Sequence, residues 1–238
     1  MEKMYKSKDR SRSETEKLRE LSFREKIEYI WSYYNYYIIG GIIAVIVIVS
    51  VTYSCATRKD VVLSVAWSVG FLEQEEIDYL RDMLNERIVD NPSKETSEVS
   101  LFLSSGNDPT AEMAYINKLV AMLAAGAIDI FIVDMDTLIS HSVSEFIKPM
   151  DIIIDIIRAS DPDLYEIISN ETIITVFGHE EDYQRPELTG IRLTDTPLMK
   201  ELGYDIVVDT FFCMAISTQN YEKIAETLKL FFGRHANE

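Results

Sequence analysis

Tyr37–Ala56 reads YIIGGIIAVIVIVSVTYSCA, twenty residues without a charge or a proline. At about 1.5 Å rise per residue the run spans roughly 30 Å, the thickness of a bilayer's hydrocarbon core. It predicts a transmembrane helix over 37–56. Such a helix separates a head of 36 residues from a domain over 60–238, long enough for one substantial core.

Working outward, residues 1–21 are mostly Lys, Arg, Glu and Ser, a composition that predicts a disordered head. Ser22 and Glu25 fit a capping box, and Phe23, Ile27, Ile30 and Trp31 share a helical face, so 22–36 predicts a short interfacial helix. Trp31, Tyr33, Tyr34, Tyr36 and Tyr37 crowd the start of the span, where amphipathic rings sit at headgroup level. They are read as membrane anchors, with the lipid bilayer as partner of 37–56. Nine basic residues precede the span, whereas Arg58 and Lys59 follow it, which places the N-terminus in the cytoplasm and the domain outside. An n-region of 36 residues and an apolar run of 20 are both long for a cleaved signal, and Thr52-Tyr53-Ser54 is a poor lead-in to lipidation at Cys55.

From Asp60 onward there are 12 basic and 33 acidic residues, a balance of −21. That field argues against nucleic acid or anionic lipid as the domain's partner and fits a solvated acidic surface. Two cysteines, Cys55 and Cys213, imply no disulfide framework, and an external domain without one suits a Gram-positive surface.

In chain order, Val61–Ser68, Val99–Ser104, Ile128–Asp134, Thr172–Phe177 and about Asp205–Ile216 read as strands. Between the first three lie two helices, one with Ile77, Leu80, Leu84 and Ile88 inward, the other with Met113, Ile116, Val120 and Leu123 inward. Asp108 is a natural N-cap and Gly126 a stop for the second. Residues 135–170 read as broken helix, 178–190 as a polar loop, and the last helix carries Tyr221, Ile224, Leu228, Phe231 and Phe232 inward. The strand–helix alternation predicts an α/β domain with a mainly parallel sheet flanked by helices.

Leu123–Asp134 (LAAGAIDIFIVD) resembles the helix, Gly, Asp and apolar strand of extracellular solute-binding proteins, the receptors of ABC importers. Val61–Ser68 is similar to their opening strand, and Met214–Phe232 to their late strand, Ser/Asn turn and lobe-closing helix. Thr189–Gly203 and the Tyr29–Tyr34 stretch resemble membrane-anchored, solute-binding-like proteins of Gram-positive gut bacteria that have no assigned activity. The resemblance implies one lobe of a type II periplasmic binding protein, because Met135–Thr172 is too short to hold a second. A single lobe lacks the hinge closure of the two-lobed receptors.

In a parallel sheet ligands meet the carboxyl ends of the strands. This rule groups Trp67, Ser68, Ser104, Ser105, Asn107, Asp134 and Asp136 as candidate ligand-binding residues. Several also have a plainer role: Asp136 as a helix cap, Trp67 as core, the stretch around Gly106 as a turn. Glu180, Glu181 and Asp182 lack the spacing of a calcium loop, and His141, His179 and His235 are too dispersed for zinc, so no metal or cofactor is expected. No nucleophile elbow, P-loop or glycine fingerprint occurs, and enzymatic activity is not expected; the residual enzyme class is a surface hydrolase using Asp134 and Asp136. The resulting expectation is a single-pass membrane protein with an external solute-binding-like domain, a binding or accessory module for a small solute. The alternative is a scaffold subunit with a membrane-protein partner.

Overall fold

The computed structural model describes residues 22–102, 109–178, 185–203 and 208–234. The expectations for the head 1–21, for Ser104, Ser105, Asn107 and Asp108, for Glu180–Asp182, and for His179 and His235 lie outside these residues. The chain divides into a unit ending at Arg58 and a second unit from Lys59 onward.

The first unit is one helix, α1 (Phe23–Thr57). The interfacial and membrane helices expected on either side of Tyr36 and Tyr37 are continuous, because no proline or capping group interrupts the backbone there. Tyr34–Ser54 is long and apolar enough to cross a membrane, as an anchor or as a signal segment. None of that stretch is buried by protein. Its polar side chains fold back on the backbone: Thr52 Oγ1 donates to the Ile48 carbonyl at 2.8 Å and Thr57 Oγ1 to the Tyr53 carbonyl at 2.8 Å. In hydrocarbon this satisfies hydroxyls that would otherwise lack a partner.

The second unit is organised around β3 (Ile130–Asp134), whose apolar run is buried on both faces, the pattern of a central strand. β1 (Asp60–Trp67) and β2 (Glu95–Leu101) run parallel to it in the order β2-β1-β3. β7 (Thr210–Ala215), buried at every position, lies antiparallel to β3 on the other side. β6 (Arg185–Arg192) and then β5 (Thr172–Phe177) continue the sheet, again antiparallel, and the two-residue β4 (Ile147–Lys148) pairs with the far end of β7. The sheet is therefore mixed, with seven strands and a parallel half joined to an antiparallel half. The mainly parallel sheet expected from strand–helix alternation holds only for β2-β1-β3. The alternation continues, but β4 is a two-residue strand antiparallel to β7, β5 and β6 form an antiparallel pair, and β7 enters beside β3 in the reverse direction.

Period-two alternation splits the core into two layers. Leu63, Val65, Trp67, Ile130, Ile132, Phe212 and Met214 face one side. There they meet α2 (Gln74–Arg87), α5 (Asp151–Ser160), α6 (Pro162–Ser169), α7 (Pro197–Glu201) and α8 (Tyr221–Phe231). Ala66, Phe131, Val133, Phe211 and Cys213 face the other side, covered by α3 (Pro109–Ala124) and α4 (Met135–Val143). Burial pushes the Cys213 thiol well above its usual value, so it behaves as an inert core group.

The inward stripe of α8 is as expected, with Ile224, Leu228 and Phe231 buried and Gly233 in the left-handed region that ends it. The stripe of α3 is not. Tyr115, Leu119, Met122 and Leu123 pack inward, and Met113, Ile116 and Val120 are exposed. The helix is apolar on both sides, so two stripes compete and only the packing decides between them.

β6 also departs from the polar loop expected over 178–190. Its Pro186 sits near the strand's start, paired only with Val176 of β5, where a missing donor matters least. Its Gly190 lies under α4: a Cβ there would stand 3.2 Å from Leu138 Cδ2. Gly190→Val is expected to destabilise the domain by about 1–3 kcal/mol through overpacking, read as a lowered urea midpoint. An unchanged midpoint would mean that α4 yields without cost.

A buried carboxylate ties the parallel half to the start of α8. Asp129 Oδ2 accepts from the Ser64 amide at 2.9 Å, and Oδ1 accepts from the Thr218 hydroxyl and from Asn220 Nδ2 at 3.0 Å. Its main chain also bridges β1 and β7, from its N–H to the Ser64 carbonyl and from the Ala215 N–H to its carbonyl. Lys148 Nζ donates to the Thr218 carbonyl and to Tyr221 Oη, holding the same turn from β4.

Candidate functional site

The carboxyl ends of β1 and β3 place Trp67, Ser68, Asp134 and Asp136 in one region, as the strand-end rule expects. Their local roles are structural. Trp67 is fully buried and its indole N–H donates to the Val69 carbonyl at 2.6 Å. Asp134 caps α4, accepting from the Thr137 amide at 2.8 Å, and Asp136 is exposed in the first turn, where a carboxylate complements the helix dipole. Ser68 Oγ is buried without a partner at hydrogen-bond geometry. The Tyr115 hydroxyl faces it, close enough to oppose in part the rise that burial imposes on the Tyr115 phenol. Asp134 and Asp136 thus sit on one helix start in unlike settings, one committed to a cap and the other solvated. Nothing in their geometry converges on a reacting atom.

At the same end of the sheet, the antiparallel half carries an ion network that sequence reading missed. Arg192 Nε pairs with Glu171 Oε2 at 2.7 Å, and its Nη1 stands 3.8 Å from Asp209 Oδ1. Thr194 Oγ1 links the network to the backbone, donating to Asp209 and accepting from the Thr210 amide. The guanidinium is engaged by carboxylates of its own domain, so the network fastens the β5–β6–β7 corner.

A groove of about 490 Å³ lies instead on the helical side, between α2, α7 and the end of α8. Met83, Leu198 and Leu230 form its apolar floor, and Asp82, Glu86, Arg87 and Glu201 its charged rim. Tyr79 crosses it, its hydroxyl donating to Glu201 Oε1 at 2.6 Å, and that hydrogen bond raises the phenol above its usual value. Among the described residues the groove presents carboxylates, an arginine and a phenol around an apolar floor. The signal was present in the sequence: Tyr79 and Met83 stand four apart on α2, beside the core stripe rather than in it.

The third feature is the outer face of α3. Met113 is 66% exposed, Ile116 43% and Val120 46%, and Ala114, Asn117, Ala121 and Ala124 are exposed beside them. Spacings of three and four put these seven on one face without a charge. Among the described residues no group of three or more His, Cys, Asp or Glu is placed to hold a metal ion.

The membrane-anchor candidates Trp31, Tyr34, Tyr36 and Tyr37 are exposed along α1, with the Tyr34 and Tyr37 rings 6.5 Å apart. Tyr33 lies in the same helix, its side chain outside the described residues. No protein-family model matches the chain, and no curated protein matches it either.

Proposed function

We propose that the protein is a membrane-anchored interaction module. Its apolar helix is held in the bilayer and its α/β domain docks other proteins on the extracytoplasmic side. The observation that carries this reading is the uncharged outer face of α3, exposed on a domain otherwise rich in acids. A contiguous apolar helix face in water is a standing cost unless something covers it. Four exposed aromatic rings at the start of the apolar run support an anchor. The excess of basic residues before that run supports a cytoplasmic N-terminus.

The test is a photoreactive side chain at Ile116 in intact membranes, compared with one at Ile152, an equally exposed position on α5. A discrete adduct from position 116 and none from 152 is the expected result. The same diffuse labelling from both positions would remove the reading.

A solute-binding lobe is the second reading. The parallel β2-β1-β3 part of the sheet and the 490 Å³ groove support it. The antiparallel β7-β6-β5 half departs from a mainly parallel lobe. Thermal unfolding of the full chain in detergent, against amino acids, sugars, peptides and divalent cations, separates the two readings. A saturable rise with one solute, lost in Glu201→Gln, would favour the receptor.

A further inference from the structure

We propose that the partner of α3 is α3 of a second copy, packed antiparallel across a two-fold axis at Asn117. This deepens the interaction-module reading and rests on it. Three observations bear on a second copy, the first by removing an objection to it and the other two by favouring it.

The first is charge. Two domains of −21 repel wherever their acidic surfaces meet. The α3 face carries no charge, and the two charged residues of the helix are already occupied. Lys118 Nζ lies 4.5 Å from the centre of its own Phe102 ring, and the Glu112 carboxylate acts on the Tyr115 phenol of the same helix. Self-association through this face therefore brings no carboxylates together along the helix.

The second is shape. An antiparallel pairing centred on Asn117 sets Met113 opposite Ala121 and Val120 opposite Ala114, large against small on both sides of the axis. Alternation of that kind lets two helices approach at about 8–10 Å between axes. The third is the polar residue at the centre of the stripe, Asn117. A primary amide both donates and accepts, so two Asn117 side chains related by a two-fold satisfy one another, and a lone Asn in an apolar seam sets register.

The face is small. From Met113 to Ala124 it rises about 16 Å, and a single helix pair buries less than the roughly 1,600 Å² of a standard stable interface. Association is accordingly weak between untethered domains. It becomes favourable when both copies are anchored in one bilayer and their effective concentration rises.

The experiment uses the full chain in liposomes, with Cys55→Ser as background and Cys213 left in the core. Asn117→Cys is treated with a short bis-maleimide and compared with Ile174→Cys on exposed β5, and crosslinked dimer is measured. The expected result is at least tenfold more dimer from Asn117→Cys than from Ile174→Cys, with that excess abolished by adding Val120→Glu. Both α3 positions are exposed, and an unchanged thermal melt of each variant verifies the fold. Equal crosslinking at 117 and 174 would report random collision and overturn the proposal, as would dimer that survives Val120→Glu. An Ile116 photo-adduct to a different protein, with no 117–117 dimer, would overturn the second copy while leaving the interaction module standing. The absence of both products would remove both.

Discussion

Asp129→Ala is expected to lower the unfolding free energy by about 3–5 kcal/mol, because buried donors lose their acceptor. The residue is 6% exposed, and its two oxygens take three hydrogen bonds from β1 and from the turn before α8. Alanine removes the acceptor and leaves two buried donors, the Ser64 amide and the Thr218 hydroxyl, without it, whereas the exposed Asn220 Nδ2 keeps the Val62 carbonyl. One of them, the Ser64 amide, is fixed by the backbone and has no other direction in which to turn. Asp129→Asn is the informative control. Because Asn220 Nδ2 and the Thr218 hydroxyl both use Oδ1, the amide must place its oxygen there and its NH₂ against the Ser64 N–H. Donor then faces donor, so asparagine is expected to lose most of what alanine loses despite its matching shape. Thr218→Val, which removes one donor and leaves the carboxylate two partners, is expected to cost about 1–2 kcal/mol. Denaturant unfolding followed by the fluorescence of Trp67, the domain's single tryptophan, measures all three. Equal stability of Asp129→Asn and wild type would refute the two-oxygen assignment.

This carboxylate also shows what can be read from the sequence and what cannot. The Gly-Ala-Ile-Asp run before β3 and the Ser-Thr-Gln-Asn turn after β7 are both visible as short patterns. Their joining through Asp129 is a contact between residues some ninety positions apart, which no local period reports. The same limit explains the sheet. β1, β3 and β7 announce themselves by dense β-branched and aromatic residues, and α2 and α8 by single apolar stripes. β6 is disguised by Pro186, Glu187 and Gly190, each tolerated for a tertiary reason: a strand start, an ion pair with Arg185, the underside of Leu138. The direction of β7 depends on which neighbours it inserts between.

The candidate site follows the same division. The strand-end rule selects Trp67 and Asp134 from topology alone, and the structure gives them burial and capping roles. The exposed stripe of α3 is legible as a stripe, but apolarity alone assigns it to the wrong side. That error is informative, because a helix with two apolar faces and one sheet to cover has one face left over.

His141 is expected to make the domain acid-sensitive in a defined window. Its ring is 4% exposed, packed against Phe131 at 4.9 Å and Phe146 at 5.7 Å between ring centres, and Nδ1 has no hydrogen-bond partner. Position in the last turn of α4 favours a cation through the helix dipole, and the Asp134 carboxylate opposes the shift as well. Desolvation outweighs both and carries the imidazole down from 6.5 to about 4. The unfolded chain therefore takes up a proton near pH 6.5 that the folded chain refuses until about pH 4. Above pH 6.5 neither state is protonated and the contribution is intact. Between pH 6.5 and pH 4 it is lost at up to about 1.4 kcal/mol per pH unit, about 3 kcal/mol in all, and below that range the loss levels off. His141→Phe keeps an aromatic ring beside Phe131 and Phe146 and has nothing to protonate. The difference in stability between the His141→Phe variant and wild type is expected to widen steadily in the variant's favour from pH 6.5 to pH 4, whatever the remaining carboxylates contribute to both. Denaturant midpoints at half-unit pH steps measure it. Parallel profiles for the two proteins would show that the buried imidazole finds a proton-accepting partner in the folded state, and that the desolvation argument fails.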